Sequence, residues 1–300
     1  MPRSLFSSPS DVRCVVKPRD PYSHKGDFGC LLIVGGSDVY SGAPALTGLA
    51  AIRTGAGLVL IAAPKATTST IRSYSPDLIV HQLSGDVVTP DDVPKLQELL
   101  VKSTALVLGP GIGRAPETEV AVPQILKTAT EMGKPVLVDA DAIRAVAGTG
   151  IKHSNIVLTP HAGEFRALSG IEAPVRWRDR LPFCVEFAKK TSCILLLKGH
   201  ETVITDGVRV KVNRTGNPGM ARGGMGDVLS GIIGAFLAQQ ADPFLAAVAG
   251  AYVHGHAGDL LLKTKGFHMT ASDLVDTLPT ILRKFDRTAT HHNKLQSSLL

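Results

Sequence analysis

Aromatic side chains are scarce in this chain: Phe, Tyr and Trp together make up 5% of 300 residues, with a single Trp. Small residues are abundant instead, 30 of them Gly, which suits close packing of helices on a sheet around a nucleotide. Cysteine is sparse too. Cys14, Cys30, Cys184 and Cys193 form no Cys-x-x-Cys pair, which argues against a zinc site and for reduced, mostly buried thiols. No long apolar run is unbroken. The longest, Val228 to Tyr252, is interrupted at Gln239-Gln-Ala-Asp-Pro243, so it makes two buried helices rather than a membrane span. The first ten residues hold no apolar signal core, and the expected location is the cytoplasm. A net charge of +6, from 32 Lys+Arg against 26 Asp+Glu, is a mild excess partly carried by the tail (Arg283, Lys284, Arg287, Lys294). Without interleaved basic and aromatic residues it points to small anionic ligands and away from nucleic acid.

A hydrophobic content of 44% over this length supports one large α/β domain spanning 1–300, with a core of about 24–285 and polar ends at 1–22 and 286–300. The leading end is expected to lie as an arm over the domain and the trailing end to be disordered. Cys30–Val34 is a continuous apolar run ending in Gly35-Gly36-Ser37, as buried parallel strands do. A helix follows from about Tyr40, with Pro44 in its first turn, and then a strand at Leu58–Ala62. This is a βαβ unit, without the Gly-x-Gly-x-x-Gly dinucleotide fingerprint. Ala105–Leu108, Val136–Val138, Ile156–Leu158 and Ile194–Leu197 repeat the pattern. They run into Gly109-Pro-Gly-Ile-Gly113, Asp139-Ala-Asp141, Thr159-Pro-His-Ala-Gly-Glu164 and Lys198-Gly-His-Glu-Thr202. In an open parallel sheet such clusters converge on the rim at the carboxyl ends of the strands, where ligands bind.

The strongest single signal is Asn213 to Gly231, which holds Gly216, Gly219, Gly223, Gly224, Gly226 and Gly231 and passes from a loop into an apolar helix. Glycines let backbone N–H groups approach a phosphate, and the helix start supplies unpaired N–H groups and a positive dipole end. Asp227 stands at that start, placed to take a proton from a hydroxyl attacking phosphorus, unless it is only a first-turn acid. The other clusters keep two readings each. Asp139 and Asp141 cap the following helix, or they hold Mg²⁺ through water or order the rim. His161 is a hydrogen-bonded rim histidine or a substrate contact, and Glu164 a first-turn acid. Lys198 is a solvated strand end, or contacts phosphate or ribose beside Gly199 and Thr202. Val203–Val212 reads as a hairpin turning at Asp206-Gly207, with Val208, Val210 and Val212 alternating with Arg209 and Lys211. Helices are expected over Pro243–Leu262 and Ala271–Phe285. His254 and His256 stand two apart and share no helix face, which argues against a metal pair.

Taken in order, Gly35-Gly-Ser-Asp-Val-Tyr-Ser-Gly-Ala-Pro44, Gly109–Gly113, Asp139-Ala-Asp141, Leu158-Thr-Pro-His161 with Glu164-Phe165, Leu197-Lys-Gly199, Asn217–Ala221 and Gly223-Gly-Met-Gly-Asp227 resemble the ADP/ATP-dependent NAD(P)H-hydrate dehydratase family. The resemblance covers His24 to Phe285. Arg222 and Met225 depart from it, since small hydroxyl residues are expected at both positions.

The resemblance implies a ribokinase-like fold: a three-layer α/β sandwich with a mostly parallel central sheet flanked by helices. It implies dehydration of the (S)-epimer of NADH or NADPH hydrate at the expense of ADP, favoured here over ATP, by phosphorylation of the hydroxyl and loss of phosphate. Asp227 is then the base, and the N–H groups of Gly224, Met225 and Gly226 hold the transferring phosphoryl group. Ala43, Gly111, His161 and Asp227 match the family's contacts to the hydrate. Lys198, Gly199, His200, Glu201, Thr202, Asn217 and Gly226 match its nucleotide site. Mg²⁺ is implied as a bridge between phosphates, with no protein ligand assigned. A homo-oligomer, with a homotetramer as the form expected, and a separate epimerase are implied as partners, since no length is left for an epimerase domain. Two other readings stay open: a vitamin-precursor kinase of the same fold, and a nucleotide-binding sensor without catalysis.

Overall fold

The computed structural model describes residues 4–289. In chain order the elements are α1 (Pro9–Val15), β1 (Cys30–Val34), α2 (Gly42–Thr54), β2 (Leu58–Ala63), α3 (Lys65–Tyr74), β3 (Ile79–Gln82), α4 (Val93–Lys102), β4 (Ala105–Leu108), α5 (Pro116–Glu131), β5 (Val136–Val138) and α6 (Asp141–Ala145). They continue with β6 (Ile156–Leu158), α7 (Ala162–Ser169), α8 (Trp177–Thr191), β7 (Ile194–Leu197), β8 (Thr202–Thr205), β9 (Val210–Asn213), α9 (Met225–Ala238), α10 (Pro243–Lys265) and α11 (Ala271–Leu282).

One nine-stranded sheet runs β3-β2-β1-β4-β5-β6-β7-β8-β9. Pairing is parallel from β3 through β7 and antiparallel for β7–β8 and β8–β9. Successive strand residues face opposite ways, so the apolar runs fill two cores. Leu31, Ile33, Val107, Leu137 and Leu196 pack with α2, α9, α10 and α11 on one face. Leu32, Val34, Leu108, Val138 and Leu197 pack with α4, α5 and α8 on the other. This is the three-layer, ribokinase-like α/β sandwich expected of the sequence.

Strand order reverses between β1 and β4, and the two loops leaving these strands meet there. Gly36 N–H donates to the Pro110 carbonyl at 2.9 Å. A Cβ at Gly35 would stand 2.2 Å from the same oxygen, so only glycine permits the crossing. The α2–α9 contact is as close: a Cβ at Gly231 would lie 2.2 Å from the Thr47 carbonyl. That approach brings the start of α9 to the rim.

Three expectations need correction. The leading segment is part of the body rather than a polar arm. Phe6 bridges to Val212, and Val12 and Val15, three apart on one face of α1, are buried. The Ser8–Asp11 capping box that starts this helix was present in the sequence as Ser-x-x-Asp. At the other end Thr288 bridges to Arg19, so 286–289 is also held, while the disorder expected over 290–300 lies outside the described residues.

The hairpin register also differs. Pairing ends at Thr205↔Val210, and the chain reverses over 206–209, where the Asp206 carboxylate accepts the N–H groups of Val208 and Arg209. Val208 is 88% exposed, while Lys211, expected on the polar face, is buried against Asp11. Among the described residues no helix is long and apolar enough to cross a membrane.

Candidate active site

The site is built around the first turn of α9. Gly224 caps it at φ +86°, a left-handed conformation that glycine adopts without strain, and a Cβ there would meet Ala271 and Leu46 at 2.8 and 2.9 Å. No side chain caps this helix, and its first backbone bond is Val228 N–H to Gly224 carbonyl. The N–H groups of Met225, Gly226 and Asp227 therefore precede the helical ladder and are available to an anion. From below, half-buried His254 on α10 bonds through Nε2 to the Met225 carbonyl at 2.9 Å. A carbonyl only accepts, so Nε2 carries the proton. Burial pushes this histidine down to about 4, which keeps the ring neutral near pH 7.

Asp227 is half-buried, and its pKa is pushed up to about 7, first by burial and then by the negative charge of Asp139, with Lys198 opposing both. Lys198 Nζ lies 3.0 Å from Asp139 Oδ1 and 3.8 Å from Glu164 Oε2. Ser230, one turn along α9 from Asp227, donates to Asp139 Oδ2 at 2.7 Å. Burial would raise Asp139, but Lys198, Ser230 and Thr159 together hold it below the ordinary range. Burial likewise would lower Lys198, and the carboxylates of Asp139, Glu164 and Asp227 hold it above. Glu164 is raised, chiefly by burial. The ammonium is thus charged and shared among three acids, of which Asp227 is poised to exchange a proton near neutrality.

The predicted site residues fall on two sides of Asp227. Ala43 and Gly111 adjoin each other, since a Cβ at Gly111 would stand 3.0 Å from that of Ala43 and 2.8 Å from Tyr40. Thr47 ties this side to the base: its hydroxyl lies 2.9 Å from the Ala43 carbonyl and 3.1 Å from that of Asp227. On the other side, Lys198, Gly199, His200, Thr202, Asn217, Met225 and Gly226 line one cavity of about 730 Å³. His161, assigned to the hydrate, lines this cavity as well. Its Nδ1 accepts the N–H groups of Gly163 and Glu164, so it caps α7. Glu201 is not brought in: its carboxylate pairs with Arg214 at 3.0 Å. Asn217 shapes the loop, accepting from Gly219 N–H and donating to Asp259 of α10.

The sequence reading missed His254 as a support for the anion hole, Ser230 as a partner of Asp139, and Asp259. One signal was available. Gly255 and Gly258 let α10 touch the loop, since a Cβ at either would stand 2.2 Å from Thr215 or Met220.

The donor set makes no metal cage. Both Asp139 oxygens are engaged by Lys198 and Ser230, and among the described residues no group of three His, Cys, Asp or Glu is placed to hold a metal ion. What the arrangement can do is hold phosphate at a helix start, deliver one ammonium to it, and accept a proton beside it.

A family model described as NAD(P)H-hydrate dehydratase matches residues 31–280. The ADP-dependent (S)-NAD(P)H-hydrate dehydratase of Cenarchaeum symbiosum is 37% identical over 279 residues, covering 92% of this chain and 96% of that protein. The bifunctional NAD(P)H-hydrate repair enzyme of Pyrobaculum aerophilum is 41% identical over 281 residues, covering 94% of this chain; the chain spans only 56% of that relative's length. Among solved structures, a ribokinase-like superfamily protein of Enterococcus faecalis superposes with a TM-score of 0.83 at 25% identity, covering 94% of this chain and 96% of that one. The ADP/ATP-dependent NAD(P)H-hydrate dehydratase of Bacillus subtilis, co-crystallised with ATP/Mg2+, superposes with a TM-score of 0.78 at 29% identity, covering 95% of this chain and all of that one. With the family model matched across both halves of the sheet and the helix that carries Asp227, this chain belongs to the NAD(P)H-hydrate dehydratase family.

Proposed function

We propose that this protein restores NADH and NADPH from the (S)-epimers of their hydrates, using ADP and releasing AMP and phosphate. The observation that carries the reading is Asp227, a carboxyl raised to about 7 at the mouth of a helix-start anion hole. Asp227 takes the proton of the hydrate's hydroxyl as that oxygen attacks the β-phosphorus of ADP. The bond from phosphorus to the bridging oxygen breaks, and AMP leaves. The N–H groups of Met225 and Gly226, the Gly224 cap that exposes them, and the Lys198 ammonium face the charge on the transferring group. The ring nitrogen's lone pair then expels phosphate, a far better leaving group than hydroxide, and loss of a neighbouring ring proton restores the double bond.

In this reading Ala43 and Gly111 border the hydrate, with His161 at the boundary, and Lys198, Gly199, His200, Thr202 and Asn217 border ADP. Glu201 acts only through its backbone. Mg²⁺ enters with the nucleotide as counter-ion to its phosphates, and no step is assigned to it. Support for ADP over ATP comes from relatives such as the Cenarchaeum protein, whose name specifies ADP. Cytoplasmic location, a homotetramer and a separate epimerase supplying the (S)-hydrate complete the proposal.

Phosphorus NMR of the protein mixed with hydrated NADH, Mg²⁺ and either ADP or ATP tests it. The expected result is AMP and inorganic phosphate in equal amounts, matched by NADH, and faster turnover with ADP. A phosphomonoester that accumulates without NADH would point instead to a small-molecule kinase, and nucleotide binding without turnover to a sensor.

A further inference from the structure

Behind the 198–202 segment lies a buried cation that the reaction does not use. Arg180 of α8 is 4% exposed. Among the described residues its Nε is the only buried side-chain nitrogen or oxygen without a hydrogen-bond partner. It reaches carbonyls, not carboxylates: one terminal nitrogen donates to the Glu201 carbonyl and the other reaches the Lys198 carbonyl at 3.5 Å. Burial pushes the guanidinium below its ordinary value, as for a charge held from water at a cost. A packed core gains nothing from such a group, so its use lies in what it holds.

What it holds is the orientation of a loop. A trans peptide points its carbonyl and its N–H in opposite directions. With the Lys198 carbonyl turned toward Arg180, the Gly199 N–H points away from it. Lys198, Gly199 and Thr202 line the cavity and Arg180 does not, so that direction is the cavity side. Gly199 fits the same account. Its φ is not in the left-handed region, so no turn demands a glycine there; a Cβ would instead stand 2.7 and 2.8 Å from the two terminal nitrogens of Arg180.

We propose that Arg180 is a positioning residue for the donor nucleotide, turning the Lys198 and Glu201 carbonyls inward so that the segment presents N–H groups and the Lys198 ammonium to the phosphates. The inference rests on reading 198–202 as the nucleotide segment of the proposed reaction.

The test is ADP calorimetry together with steady-state kinetics on wild type, Arg180→Met, Arg180→Lys, Gly199→Ala and the double variant Gly199→Ala/Arg180→Met, each first checked by thermal melting. Arg180→Met is expected to weaken ADP binding and raise KM for ADP by about tenfold or more, with KM for the hydrate within about twofold. Arg180→Lys, which keeps the charge but not the fork, falls between. Gly199→Ala gives a similar ADP defect, and the double variant is little worse than either single one, because the colliding guanidinium is gone. Unchanged ADP affinity in folded Arg180 variants, equal loss for both substrates, or additive defects in the double variant would overturn the proposal. Wild type that binds ADP but makes no NADH would refute the reaction while calorimetry still decides the role of Arg180. Wild type that binds no adenine nucleotide would refute both.

Discussion

Among the described residues two lysine–aspartate pairs have a buried carboxylate and a buried or half-buried ammonium, and they differ in everything but their chemistry. Lys211 of β9 meets Asp11 of α1 at 2.8 Å, and Lys198 meets Asp139 at 3.0 Å. The first pair is closed. One ammonium faces both oxygens of one carboxylate, and Asp11 Oδ2 also accepts the N–H and hydroxyl of Ser8 at the start of α1. The second is open and unbalanced. Its ammonium serves Asp139, Glu164 and Asp227 together, and its side chain borders the cavity. An acid in excess of the available positive charge, half-buried, keeps its proton to about pH 7. A buried ion pair is therefore no sign of function in itself; the surplus carboxylate beside it is.

Substitutions should separate the two pairs. The largest effect is expected from Asp227→Asn, a fall of about 10³- to 10⁴-fold in kcat for NADH restoration, because the base is lost while the fold is kept. Lys211→Met strands Asp11 without its partner and should cost about 3–5 kcal/mol in urea unfolding, with kcat per folded molecule unchanged. Lys198→Met should lower turnover by about 10²-fold or more at saturating ADP, since a charge facing the transferring phosphoryl group is removed. Asp139→Asn should move the acid limb of the rate profile to lower pH, because it removes a negative neighbour of Asp227 and releases Lys198 toward it. If that limb moved upward, the electrostatic account of the site would be wrong.

The smallest effect is on stability. A carboxyl raised in the folded state binds its proton more tightly there than in the unfolded chain. Stability therefore falls as pH rises from the ordinary carboxylate range through about 7. Asp227→Asn should melt slightly higher than wild type above neutrality, with the difference vanishing in acid.

The same contrast explains what the sequence made legible. Five strands, β1, β4, β5, β6 and β7, show directly in the sequence because each is an apolar run stopped by glycine or a polar cluster, and that stop is also where ligands bind. Asp227 stood out because its neighbours in the chain carry the chemistry. The Lys198–Asp139–Ser230 cluster draws on β7, β5 and α9, and no local pattern announces such a meeting. Lys211 was misread for a related reason: alternation along a hairpin assigns lysine to solvent, and only Asp11, 200 residues away, makes its burial tolerable. The weakly apolar β3 at the sheet edge, and α3 and α4 beside it, carry no such stop signal. Arg180 lies at the far limit, since its role depends on carbonyls that have no identity in the sequence.

The central claim is that Asp227, held near neutrality, is the base at the helix start. Its most direct test is the rise in near-ultraviolet absorbance of reduced nicotinamide when hydrated NADH is mixed with ADP and Mg²⁺, followed across pH in wild type and Asp227→Asn. The account predicts a rise that requires nucleotide, increases through a single ionisation at about pH 7, and is lost in Asp227→Asn at every pH. Full activity in Asp227→Asn, or a wild-type rate indifferent to pH across that range, would contradict it.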